Sequence, residues 1–199
     1  MPLSWLMERI NIVGIDYINF IEQTQQKLVN HEFKNNDKYN VTKLNLQRSN
    51  RISKTYQINE QLKDLIKLFD RTQTWMVITE DWCGDSAQNL PYIVKIAELN
   101  PLINLRILLR DQNLDVMDLY LTSGKARSIP KLVAFDENGN ELFQWGPRPK
   151  AAQEVVDQAI KNGLDKNEYL EKLHIWYSED KGRTLEKEFS ILVSNILCN

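Results

Sequence analysis

Apolar residues in this chain change rhythm twice. Up to about Arg71 they recur three and four positions apart, the spacing of one buried helix face. Asp16 is placed to cap a helix carrying Ile18, Ile21, Leu28 and Val29 inward. The polar run Asn35 to Asn40 reads as an interruption, and a basic segment from Thr42 to Lys54 follows. Asn59 then caps a short helix with Leu62, Leu65, Ile66 and Phe69 on one side.

From about Thr72 to Gly163 the pattern alternates. Trp75 to Thr79 is a short apolar run, and Leu90, Ile93, Val94 and Ala97 form a helical stripe that stops at Asn100-Pro101. Ile103 to Leu109 is a second buried run, followed by a short helix from about Leu114 to Leu121. Lys131 to Phe135 and Glu141 to Trp145 flank Asn138-Gly139, a pair that suits the positive backbone angles of a tight hairpin. A helix with Val155, Val156, Ala159 and Ile160 inward ends at Gly163. Beyond it helical spacing returns: Asp165 and Glu168 make a capping box before Tyr169, Leu170 and Leu173, and Thr184 opens a last helix with Leu185, Phe189, Leu192, Val193 and Ile196. The order strand-helix-strand-helix-strand-strand-helix predicts an α/β fold. Residues 72–163 form its core, and helical extensions 1–71 and 164–199 pack on it as one compact unit.

Composition narrows the classes of function. The chain has 199 residues, a formal net charge of −2 and 26% charged residues, so no overall pull toward nucleic acid or anionic lipid is expected. The start, Met1 to Arg9, lacks the basic and apolar pattern of a signal peptide, and no run approaches a membrane span, so neither a membrane nor a nucleic acid is an expected partner. Two distant cysteines make no disulfide framework, which points to a reducing cytoplasm. His31 and His174 lie outside any ligand spacing, so no metal or other cofactor is expected.

The chemistry concentrates in Trp82-Cys83-Gly84-Asp85-Ser86, where an apolar run meets a helical stripe. A cysteine at a helix start faces unpaired backbone N–H groups and the positive end of the dipole, which stabilise the reactive thiolate by roughly 0.3–2 kcal/mol. Glu80, Asp81 and Asp85 oppose it, one carboxylate about 4 Å away being worth roughly 1–4 kcal/mol against the thiolate. The thiol is therefore expected to be less acidic than in a strongly activated site. Arg127, three residues before Pro130, offsets these acids if it points inward. Asp85 also reads simply as a favourable first-turn acid.

These residues carry a resemblance. The middle of the chain resembles thioredoxin: a Trp-Cys-Gly turn between strand and helix, Pro91 eight residues beyond Cys83, Ile129-Pro130 where the family has a cis peptide facing the cysteine, Gly146 sixteen residues after that proline, and Asp111-Gln112-Asn113 after the second strand. The resemblance implies a central mixed sheet flanked by helices, Cys83 as nucleophile, Ile129 and Pro130 aligning a substrate backbone, and Trp82, Gly84 and Asp85 on the partner-facing surface. It also marks departures. Ser86 stands where thioredoxin has its second cysteine, Val77 replaces the buried acid and Ile107 the lysine that aid proton transfer there.

Ser86 can hydrogen-bond the Cys83 sulfur but cannot expel a bound substrate by closing a disulfide. An oriented internal thiol acts at an effective molarity of roughly 10⁵ M or more, against ~mM for a loosely tethered one. Two readings follow. One is a monothiol oxidoreductase forming mixed disulfides at Cys83 with protein or low-molecular-weight disulfides, released by an external thiol. The other is a binding module that uses the Trp82 to Ser86 and Pro130 surface. Cluster carriage, as in monothiol glutaredoxins, is disfavoured by the Trp-Cys start. Cys198 reads as incidental, Trp176-Tyr177 as packing of the C-terminal helices, and Arg48, Arg51 and Lys54 as a solvated basic face, or alternatively a grip on an anion or on Asp85.

Overall fold

The computed structural model describes residues 4–33 and 35–198. Met1 to Leu3, the beginning of the stretch read above for a leader, lie outside them. Four helices precede the sheet: α1 (Ser4–Val13), α2 (Tyr17–Val29), α3 (Asn36–Thr55) and α4 (Glu60–Lys67). Asp16 caps α2 and Asn59 caps α4 through their side chains, as the sequence predicts. The inward face of α2 differs from expectation. Phe20 and Thr24 are buried, whereas Ile18 and Val29 are exposed. The Asn-rich run does not break the chain, because the Asn35 side chain accepts the Lys38 N–H and starts α3.

The core elements are β1 (Gln73–Thr79), α5 (Gly84–Ala97), β2 (Ile103–Leu109), β3 (Lys131–Phe135), β4 (Glu141–Trp145) and α7 (Lys150–Lys161). A short α6 (Leu114–Met117) runs on into a 3₁₀ turn at Asp118–Tyr120, so the helix expected over this stretch is split. The strands lie in the order β2-β1-β3-β4, with β1 parallel to β2 and antiparallel to β3, and β4 antiparallel to β3. All seven residues of β1 are buried, as befits a central strand covered on both faces. The β3–β4 connection is looser than a two-residue turn. Only Gly139 takes a positive φ, and the Asp136 carboxylate accepts the N–H groups of Asn138 and Asn140.

Two further helices complete the chain, α8 (Lys166–Asp180) and α9 (Arg183–Leu197). The Asp165–Glu168 capping box opens α8. Gly182 rather than Thr184 caps α9, and the Asp180 carboxylate takes the Thr184 N–H instead. In α7, Ala152, Val156 and Ala159 face inward while Ile160 is exposed. Phe189 of α9 meets the sheet aromatics Trp75, Phe143 and Trp145 with ring centroids 5.9, 6.3 and 5.7 Å away. This contact seats α9 on the same side of the sheet as α5. α3 packs along α5 and α8 packs on α7, so both extensions border the start of α5.

Candidate functional site

Cys83 is the N-cap residue of α5, four residues beyond Thr79 at the end of β1, and it is 9% exposed. The peptide Ile129–Pro130 is cis, and the Cys83 Sγ donates to the Ile129 carbonyl at 3.2 Å. Pro91 lies inside α5 as expected. Gly146 closes the other side of this arrangement. Its φ is +111°, and a β-carbon there would run into the Pro130 carbonyl, so glycine is required on both counts.

The electrostatics of the sulfur follow from this packing. Burial is the main cause that pushes the Cys83 thiol up, and the Asp85 carboxylate adds to it. The Ser86 hydroxyl and the backbone N–H groups of Ser86 and Asp85 pull it down. Helix-start stabilisation is therefore present but outweighed. Ser86 itself is buried and receives a short hydrogen bond from the Thr79 hydroxyl. The positions of thioredoxin's acid and lysine are dry: Val77 and Ile107 face each other in the β1–β2 register, both fully buried.

The acids around Cys83 are each held. Glu80 accepts the Asp111 N–H, and burial raises its carboxyl above the usual range. Asp81 is paired with Lys27 of α2 at 2.7 Å, and Asn45 of α3 donates to its backbone carbonyl. Asp85 pairs with Arg148 and accepts a hydrogen bond from the Tyr177 hydroxyl at 2.8 Å. Asn89 donates in turn to the Tyr177 oxygen at 2.9 Å.

Arg127 is thus not the cation that offsets the acids. It forms a two-armed pair with Asp118 on the surface, away from the sulfur. Arg148 takes that place, fixed between Pro147 and Pro149 two residues after Gly146. An arginine so constrained beside the glycine that abuts Pro130 was the signal available in the sequence. Tyr177 is correspondingly more than packing, and His174 is not remote. A β-carbon placed on Gly84 would lie 3.9 Å from the His174 Cε1. Burial and the nearby Arg48 lower the imidazole's proton affinity, against the pull of Asp85.

Trp82 is half-buried, with Lys38 Nζ 5.2 Å and Arg110 Cζ 4.9 Å from its ring. Both are cation–π distances, and they hold the indole in place at the rim of the site. Cys198 is exposed near the end of α9, and both cysteines are free thiols. No group of side chains able to hold a metal ion occurs among the described residues, and no described helix is long and apolar enough to cross a membrane.

The comparisons with known proteins agree with this geometry. The family described as Thioredoxin matches residues 32–161. The chain belongs to the thioredoxin family. Among solved structures, a protein of unknown function from Pseudomonas aeruginosa is similar, with a TM-score of 0.56 at 17% identity, covering 95% of this chain and 92% of that one. An HIV epitope scaffold gives a TM-score of 0.57 at 16% identity, covering 96% and 94%. At such identities the likeness concerns the fold alone, but it extends over the helices outside the thioredoxin match. No curated protein matches the chain.

Proposed function

We propose that this thioredoxin-fold protein is a monothiol thiol–disulfide exchange protein of the cytoplasm, acting through Cys83. The observation that carries the reading is the placement of Sγ at the start of α5, 3.2 Å from the carbonyl that precedes cis-Pro130.

In the first step the Cys83 thiolate attacks one sulfur of a protein or low-molecular-weight disulfide. The Cys83–sulfur bond forms as the substrate S–S bond breaks, and the displaced thiolate takes a proton from solvent. In the second step the thiolate of an external thiol attacks the substrate sulfur of the mixed disulfide. It forms a new disulfide and returns the electron pair to Cys83. Ile129 and Pro130 align the substrate backbone, Trp82 and Gly84 contribute contact surface, and Ser86 hydrogen-bonds the sulfur without supplying a second thiol.

The test is intact-mass analysis after exposure to glutathione disulfide in a Cys198→Ser background, since Cys198 is exposed. One adduct, removed by dithiothreitol and absent from Cys83→Ser, is expected. Equal labelling with and without Cys83 rejects the proposal.

A second reading, a binding module using the Trp82 to Ser86 and Pro130 surface, is favoured by one observation: burial and Asp85 together push the thiol up. It predicts partner capture that survives Cys83→Ser.

A further inference from the structure

Between α3, α5 and the turn joining α8 to α9 lies a cavity of about 500 Å³, within the size range of small-molecule sites. Two of its walls are buried polar side chains from one face of α5. The Gln88 amide is 6% exposed and the Tyr92 ring 7%. Among the described residues neither side chain has a hydrogen-bond partner. Neither the Gln88 amide nor the Tyr92 hydroxyl is among the polar atoms sealed away from solvent, so both are free to hydrogen-bond a molecule that enters the cavity.

The charges around the cavity say what kind. Arg51 of α3, Lys181 and Arg183 line it, and the guanidinium of Arg51 forms no ion pair among the described residues. Lys181 is held there by a left-handed backbone with φ of +53°; Gly182 follows at +87°, and a side chain at that position would also enter the Tyr92 ring. Glu186 is the lining carboxylate, and it is already engaged by the Tyr56 hydroxyl and by both nitrogens of Asn59. The neighbouring Asp180 is engaged by the Thr184 N–H and hydroxyl. Arg183 is spent on the Asp180 and Glu179 carbonyls, so the lining cations with no hydrogen-bond or ion-pair partner among the described residues are Arg51 and Lys181.

We propose that this cavity is a binding site for a small organic anion. Its phosphate or carboxylate meets Arg51 and Lys181, and its hydrogen-bonding body meets Gln88 and Tyr92. Tyr177 lines the same cavity and donates to Asp85, which joins this site to the neighbourhood of Cys83. The site does not depend on the exchange chemistry proposed above.

Calorimetric titration at low salt with adenosine monophosphate and with citrate tests the proposal, with uncharged adenosine as control. Saturable one-to-one binding of at least one anion is expected, equal in the wild-type protein and in Cys83→Ser. Equality in Cys83→Ser separates this result from the fate of the exchange reading. Whether adenosine monophosphate or citrate binds distinguishes phosphate from carboxylate recognition. Arg51→Gln, an exposed change on α3, is expected to weaken binding about tenfold or more, the worth of one hydrogen bond to a charged group. Gln88→Leu is expected to act similarly. No saturable binding of either anion, or binding unchanged by Arg51→Gln, overturns the proposal.

Discussion

Arg148 reaches Asp85, two residues past the reactive cysteine, at 2.5 Å, and the two side chains are 17% and 12% exposed. Asp85 disfavours the Cys83 thiolate, and Arg148 is the counter-charge that limits the effect. Asp85→Asn is expected to lower the thiol pKa and speed alkylation by iodoacetamide several-fold at pH 7. Arg148→Met is expected to do the reverse. It should also destabilise the protein by about 2–3 kcal/mol, somewhat below the ~3–5 for a wholly buried pair. Unchanged alkylation in both variants would show that the pair and the thiol are uncoupled.

The thiol's own titration gives a stability signature. Burial raises the Cys83 pKa above that of a free cysteine, about 8.5, so the fold favours the neutral thiol. That contribution is whole below the free-cysteine value and is lost as pH climbs through the raised folded value. Urea midpoints compared between wild type and Cys83→Ser are expected to keep a constant difference up to about pH 8. Above it the wild type should lose ground. A difference that stays flat to pH 10 contradicts the shift.

Gly146→Ala tests the support beneath Pro130. The new β-carbon meets the Pro130 carbonyl and must adopt φ near +111°. A loss of about 2–4 kcal/mol is expected in denaturant titration, from combined backbone strain and overlap. A cost below 0.5 kcal/mol would mean that the Pro130 loop yields freely.

Phe189→Ala tests how firmly the C-terminal extension is seated. Phe189 is fully buried against Trp75, Phe143 and Trp145. A loss of about 3–5 kcal/mol with a single cooperative transition is expected. A small early transition followed by an unshifted main one would instead mean that α9 melts apart from the sheet.

Much of the sheet was legible in the sequence because its runs are apolar and bounded by turn residues. The runs Ile103–Leu109, Lys131–Phe135 and Glu141–Trp145 are β2, β3 and β4 with those ends. The cis peptide at Ile129–Pro130 was anticipated from resemblance, since nothing in the local spacing requires it. Side-chain direction on the outer helices was less legible. In α2 the buried stripe runs through Thr24, whose hydroxyl returns to the Phe20 carbonyl and so hides its polarity, while apolar Ile18 and Val29 face out. The expectation that Arg127 offsets the acids fails for a related reason. Asp118, only nine residues before Arg127, claims it on the surface. Arg148 reaches the site across 63 positions of chain, a closure that only the tertiary fold specifies.

The ammonium of Lys27 belongs to α2, upstream of the stretch that matches thioredoxin, yet its partner Asp81 lies beside the reactive turn and is 4% exposed. The shape of that turn is consequently a joint property of two chain segments, one inside the stretch that matches the family and one outside it. Residues 32–161 cut out alone would carry the motif with an uncompensated buried carboxylate. Transplanting Trp82 to Ser86 onto an unadorned thioredoxin would likewise reproduce the letters without the setting that gives them their character.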